Sequence, residues 1–229
     1  MRLLNRIVFI NSANIPYAEI RLDGNVHLEG TQGVGKSTVL RALLFFYNAD
    51  KLHLGIQPGQ KPFELFYYPS SNSYIVYEVT GETGPYTVIT MRSQGRVVYR
   101  FVDSGFDRAW FFGDGTRAES DWPRIRERIQ ESGAATSPLV GTYEQYRDII
   151  FGNTRFDRYA IVRSQSYQNI PRSIQNVFLN SKLDANFVKQ TVIQSMSDTE
   201  ISIELSSFRS LLQGFEAEFA EIDCWYRKE

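Results

Sequence analysis

Lys36 and Ser37 are the residues whose types and spacing carry the clearest chemistry. They close the run Gly30-Thr31-Gln32-Gly33-Val34-Gly35-Lys36-Ser37, which fits G-x-x-x-x-G-K-[ST]. An ammonium and a hydroxyl side by side at the end of a glycine turn suit a phosphate chain. Lys36 would reach the β- and γ-phosphates of a nucleotide, Ser37 would ligate Mg²⁺, and the amides from Gly33 through Val34 and Gly35 to Thr38 would wrap the chain. Glycines at 30, 33 and 35 free the backbone to curl with its N–H groups inward, and a helix beginning there adds partial positive charge. A glycine turn that merely caps a helix would leave the lysine unexplained.

Strand, turn and helix must arrive in order around this motif. A strand-like run, Val26 to Glu29, precedes it and the helix-forming "STVLRALLFFY" follows. Two earlier runs, "LLNRIVFI" and "YAEIRL", read as strands separated by "NSANIPY", so the loop is expected on the third strand. A small GTPase or nucleoside kinase more often opens with a single apolar strand leading into its loop. His27, within the third run, reads as a strand residue without catalytic work. The segment "NADKLHLGIQPGQKPFELFYYPSSNS" reads as a surface loop in which Lys51, His53 and Lys61 are solvated.

From Ser73, the β-branched and aromatic runs "SYIVYEVTG", "PYTVITMRS" and "RVVYRFVDS" are joined by "ETG" and "QG", and "RAWFFGDG" follows. They predict an antiparallel meander over about residues 73–112, with its aromatic side chains in the core and not on a base-stacking surface. Beyond it "DWPRIRERIQES" reads as a helix, and Thr142 with Gln145 forms a capping box for "YEQYRDIIFG". A short strand, Tyr159 to Val162, then leads into a polar turn holding Gln165 and Gln168. Leu205, Phe208, Leu212, Phe215, Phe219, Ile222 and Tyr226 alternate three and four apart, a heptad seam or the apolar stripe of a terminal helix packed on its own domain.

Composition bounds the rest. The 229 residues are 42% hydrophobic and 14% aromatic, enough for one sizeable core with an appendage. A formal charge of −1 neither requires nor forbids a nucleic-acid partner, since local patches can hide in a balanced total. The single cysteine, Cys224, has no internal partner, and with no long apolar run or signal-peptide pattern the expected compartment is the cytoplasm, with no membrane. Hydrolysis would also need an acid after an apolar strand to hold Mg²⁺ through water. Asp103 ends the best run, "VVYRFVD", but Arg100 interrupts it, no second acid adjoins it, and it belongs to the hairpin series. The expectation is a phosphate cradle without its hydrolytic acid.

"LLNRIVFINSANIPYAEIRLDGNVHLEGTQGVGKSTVLRALLFFY" resembles the opening of SMC-like ATPases, the group of MukB-like, JetC-like and SbcC-like proteins. The resemblance implies an α/β fold: the N-terminal lobe of a P-loop, ABC-type head, carrying an antiparallel β meander and a C-terminal helix that enters a coiled coil. It places the lobe over residues 1–200, with the P-loop at 30–38 and a Q-loop at about 163–168, and the start of the coiled-coil helix at 201–229. The implied cofactors are ATP and Mg²⁺. Gln165, with Gln168 as the alternative, would face Mg²⁺ and the attacking water, and Asn11 and Ser12 would lie near the nucleotide. A complementary C-terminal head half would bring signature motif, Walker B and switch histidine. The implied partners are that half, a second head on dimerisation, accessory subunits, and DNA through the full complex. Gln32 departs from the family's usual asparagine, and "VHLEG" is less apolar than its usual strand. Two other classes stay open on the residues alone, a self-contained P-loop kinase or GTPase and a nucleotide-independent interaction module.

Overall fold

The computed structural model describes residues 3–24, 26–48, 54–56, 59–152, 154 and 156–161. Gln165, Gln168, the heptad seam from Leu205 to Tyr226, Cys224, Lys51 and His53 lie outside these residues. Contacts divide the chain into units of residues 1–183 and 184–229, and every described residue belongs to the first.

The described unit is organised by a five-stranded sheet in the order β2-β1-β3-β4-β5. Its strands are β1 (Leu3–Ser12), β2 (Ile15–Arg21), β3 (Tyr74–Gly81), β4 (Gly84–Ser93) and β5 (Arg96–Val102). All neighbours pair antiparallel. Tight turns explain why sequence neighbours pair so readily. Ala13 and Asn14 join β1 to β2 with φ of 50° and 65°, and Gln94 and Gly95 join β4 to β5 with φ of 50° and 79°. Positive φ at both central residues matches the right-handed twist of the flanking strands.

Because side chains alternate along a strand, each face of the sheet needs its own cover. One face carries Ile7, Phe9, Tyr77, Val79, Tyr99 and Phe101. It is covered by α1 (Lys36–Asn48), α2 (Phe63–Tyr67) and α5 (Tyr143–Ile150). The other presents Val8, Ile10, Tyr74, Val76, Ile89 and Val102, covered by α3 (Ala109–Phe112) and α4 (Trp122–Glu131) through Trp110, Phe111, Ile125 and Ile129. The meander's aromatic residues are core, with Tyr77 and Phe101 fully buried. The outer edge of β5 is tied to the segment after α4 by bridges Tyr99–Val140 and Val102–Thr136. Across β2, β1 and β3, Arg6 binds Glu19 at 2.8 Å and Glu78 at 2.6 Å. Burial alone would lower the Arg6 pKa, but the hydrogen bonds it donates to Glu78 and Glu19, together with their charge, outweigh it and raise it.

Three expectations are corrected. The run Val26–Glu29 is not a strand: β1 already carries β2 on one edge and β3 on the other, and Val26, His27 and Glu29 are exposed. The meander ends at Val102, because "AWFF" folds as α3 and packs Trp110, Phe111 and Phe112 as one helical turn, a pattern too short for periodicity to separate from a strand. The strand placed at Tyr159 is instead a 3₁₀ turn over Asp157–Tyr159, and Ile161 N–H donates to Ile150 O at 2.8 Å. The capping box is partly formed: Thr142 Oγ1 accepts from Gln145 N at 3.3 Å, while the Gln145 side chain reaches Gly141 N, one residue upstream of the expected amide. Among the described residues no helix is long and apolar enough to cross a membrane.

Helix α1 is held in an unusual way. Tyr67 of α2 donates its hydroxyl to Thr38 O at 2.8 Å, Tyr77 of β3 to Ala42 O at 2.8 Å, and Tyr146 of α5 to Phe46 O at 2.6 Å. The acceptors are four residues apart, so one stripe of carbonyls along the helix takes all three phenols. Burial pushes the phenol pKa of Tyr77 and Tyr146 well above its usual value, which keeps both as donors. Packing of Phe45 and Phe46, at about 1.5–3 kcal/mol per buried ring, dominates adhesion. The hydrogen bonds, at about 1 kcal/mol each, fix where along its axis the helix stops. Tyr146→Phe is therefore expected to lower unfolding stability by about 1 kcal/mol, read as a lower urea midpoint at unchanged slope. An unchanged midpoint would show that the α5 clamp contributes nothing.

Candidate functional site

The loop between Glu29 and α1 adopts the curl that its glycines allow. Gly30, Gly33 and Gly35 have φ of 142°, 89° and 96°. Gly30 is doubly constrained, because a Cβ there would lie 2.7 Å from Val34 Cγ2. Lys36 opens α1, and its ammonium folds back over the start of the loop, donating to Gly30 O and, at 2.9 Å, to Thr31 O. A lysine carries three N–H donors, so one remains for an incoming oxygen. The first intrahelical bond runs from Val39 N to Gly35 O at 3.1 Å. The amides of Lys36, Ser37 and Thr38 therefore precede the hydrogen-bond ladder and point out of the helix end. The first turn of α1 contains no acidic residue to compete with an anion.

This donor set fits a triphosphate with Mg²⁺. Backbone amides and one helix terminus supply positive potential, Lys36 a directed charge, and the exposed Ser37 a hydroxyl for the metal. Among the described residues no group of three or more His, Cys, Asp or Glu side chains is arranged to hold a metal. Asp103 is occupied structurally: Oδ1 accepts from Ala135 N at 2.5 Å and Oδ2 from Arg158 at 3.0 Å.

Asn11 and Ser12 are placed at the β1–β2 turn, and the bonds of Asn11 run to β3's approach segment, not to the glycine loop. Asn11, with φ of 45°, donates to Asn72 O at 3.2 Å and accepts from Ser73 Oγ at 2.6 Å. Ser12 is fully buried and its hydroxyl finds no partner among the described residues. The next residues of that turn matter more. Asn14 lines a cavity of about 370 Å³ together with Arg41 of α1 and Gln60, Lys61, Phe63 and Phe66. Ile56 and Tyr67 also line it. Two amides, two cations and aromatic rings converge here, with no carboxylate among the described residues of the lining. Arg41 donates to Gly55 O at 3.1 Å, and its buried Nε has no partner among the described residues.

The cavity was not legible in the motif. Lys61 reads in the sequence as a solvated loop residue; it is exposed, yet it borders this space. One signal was present: Arg41 is the only charged residue within "STVLRALLFFY", set in an otherwise apolar helix. Tyr67 joins the two regions, since its ring lines the cavity while its hydroxyl holds Thr38 O.

The chain matches, over residues 10–207, the family described as "protein of unknown function (DUF3584)", and it belongs to that family. No curated protein matches it.

Gly30→Ala tests whether the observed loop shape is the binding shape. The added methyl meets Val34 at a backbone angle that side chains rarely adopt, a strain of about 1–3 kcal/mol. ATP affinity should fall by at least about tenfold, measured by calorimetry, with the sheet intact by circular dichroism. Unchanged affinity would mean that the loop binds in another conformation or not at all.

Proposed function

We propose that this chain binds ATP with Mg²⁺ as the N-terminal lobe of an ABC-type ATPase head in an SMC-like protein, in the cytoplasm. Such heads couple ATP-driven engagement to DNA organisation, repair or defence against foreign DNA. The observation that carries the reading is the Lys36 ammonium over the carbonyls of Gly30 and Thr31, at the open amides of α1, in a loop with three left-handed glycines. Membership of the DUF3584 family, a domain family found in SMC-like proteins, supports it.

In this reading Lys36 and the amides of Gly33 to Thr38 bind the phosphates, and Val34 stays at the exposed tip of the loop. Ser37 holds the metal. The cavity beside α1 takes the base, which stacks against Phe66, while Asn14 and Gln60 offer both donors and acceptors to its edge. Bound Mg²⁺ supplies charge neutralisation at the phosphates. Phosphoryl transfer rests on positioning and charge stabilisation, so the lobe by itself is expected to hold ATP and turn it over slowly. The missing acid and signature segment belong to a complementary C-terminal half, and a second head completes the engaged pair. Gln165, with Gln168 as alternative, is assigned to the metal and the attacking water of that completed head.

Calorimetry with two ligands separates the parts. Lys36→Ala should abolish binding of both ATP–Mg²⁺ and inorganic tripolyphosphate–Mg²⁺. Phe66→Ala should weaken ATP by about tenfold, the loss of one base–aromatic stack, and leave tripolyphosphate unchanged. Equal ATP affinity in wild type and Lys36→Ala would sink the nucleotide reading, whereas a Phe66 variant with wild-type ATP affinity would remove only the base pocket.

A steady-state ATPase assay tests the incomplete head. The purified chain should show turnover no higher than its Lys36→Ala control, and in a head joined to its C-terminal half Gln165→Ala should slow turnover more than it weakens ATP binding. Robust Lys36-dependent turnover by the chain without a partner half would favour the self-contained kinase or GTPase. Absence of any nucleotide binding would favour the interaction module.

A further inference from the structure

Ala13 and Asn14 make the turn between β1 and β2, and both have positive φ, 50° and 65°. Such a turn favours asparagine, aspartate or glycine, so the backbone alone accounts for a small polar residue at position 14. It does not account for the carboxamide. Asn11, three residues earlier, donates its amide to Asn72 O at 3.2 Å. Asn14 is exposed, lines the cavity beside α1, and its side chain makes no hydrogen bond among the described residues. Gln60, the other amide of the lining, is likewise exposed and without a side-chain hydrogen bond among the described residues.

A base edge is read by groups that tell a donor from an acceptor. The two cations of the lining, Arg41 and Lys61, only donate, and Arg41 is already committed: its Nη2 holds Gly55 O at 3.1 Å and its Nε is buried. A carboxamide carries a donor and an acceptor side by side in one plane. Adenine presents the complementary pair, its 6-amino group as donor and N7 as acceptor, whereas guanine presents acceptors, O6 and N7, at both places. An amide satisfies one of guanine's two acceptors and turns its own oxygen toward the other. Of the two amides, Asn14 is the more rigid reader. It sits on the turn of a paired hairpin and has one side-chain torsion fewer than Gln60, which lies in the segment before α2.

We propose that Asn14 sets the base preference of the site: its carboxamide accepts from the 6-amino group of adenine, donates to N7, and so selects adenine over guanine nucleotides. This rests on the nucleotide reading above, with the base in the cavity. Phe66 then supplies the stacking that any base would receive, and Asn14 the distinction between bases.

The test is calorimetry on the full chain with the Mg²⁺ complexes of ATP, GTP, 7-deaza-ATP, in which N7 is replaced by a C–H group, and tripolyphosphate. Wild type should bind ATP about tenfold more tightly than GTP and about fivefold more tightly than 7-deaza-ATP. Asn14→Gly keeps the turn, because glycine takes positive φ freely, and removes the amide. It should bring ATP, GTP and 7-deaza-ATP to nearly equal affinity, while tripolyphosphate, which has no base, should bind it as it binds wild type. Gln60→Ala should weaken ATP and GTP by a common factor and keep their ratio. The 7-deaza comparison in wild type needs no substitution, so the proposal can be refuted even if Asn14→Gly unfolds. Equal affinity of wild type for ATP and GTP, or for ATP and 7-deaza-ATP, would overturn it. So would a preference for ATP that survives in Asn14→Gly or collapses in Gln60→Ala. In each of these cases tripolyphosphate binding by wild type would leave the phosphate site standing, whereas its absence would remove the nucleotide reading and this proposal together.

Discussion

The hydrogen bonds from Tyr67, Tyr77 and Tyr146 to one stripe of α1 are the constraint on which the rest of the site depends. A loop proposed to hold phosphates is useful only if the helix behind it is aimed, and apolar packing aims poorly, because a ring in a greasy groove slides at little cost. Carbonyls do not slide. Each phenol comes from a different element, so helix α2, strand β3 and helix α5 all have to be in place before α1 is held in one position. The dependence is hierarchical: the paired strands and the covering helices position the tyrosines, and the tyrosines position α1.

The two faces of the sheet solve the same covering problem with different chemistry. On the α1 face the contacts are aromatic, some tilted, as with Phe46 and Tyr77, and some stacked, as with Tyr99 and Tyr146, whose rings are 4.3 Å apart at 19°. Toward α3 and α4, arginines do much of the orienting. Arg6 packs 5.2 Å from the Phe106 centroid while paired with Glu78, which also accepts from Phe106 N at 2.8 Å. Glu78 therefore ties three segments through one carboxylate. A neutral side chain of the same shape would keep the contacts and lose the charge assistance that shortens them.

Much of this was legible in the sequence where local chemistry decides the outcome. Gln94-Gly95 announced a hairpin because the turn demands positive φ, and Thr142 announced a helix start because an orphan amide needs an acceptor. The glycine loop was legible for the same reason. What escaped detection depends on distant partners. Val26 to Glu29 has the pattern of a strand, but a strand exists only where a neighbour offers an edge. "AWFF" has no period long enough to read, and its fate is set by the apolar face awaiting it. Asp103 looked like a weak candidate acid; Ala135 and Arg158, far along the chain, make it a structural link. The cavity is the extreme case, since Asn14, Arg41 and Phe66 come from separate elements and share no motif.

Tyr67 has one ring and two obligations. Its ring borders the cavity and its hydroxyl fastens the carbonyl of Thr38, the residue after the glycine-loop motif. A rigid phenol cannot tilt at one end and stay still at the other. Whatever displaces the ring must strain or release that carbonyl, and whatever tightens the first turn of α1 must press back on the ring. Cavity and loop are thus joined twice, through this phenol and through α1 itself, which starts at the loop and carries Arg41 in the cavity wall.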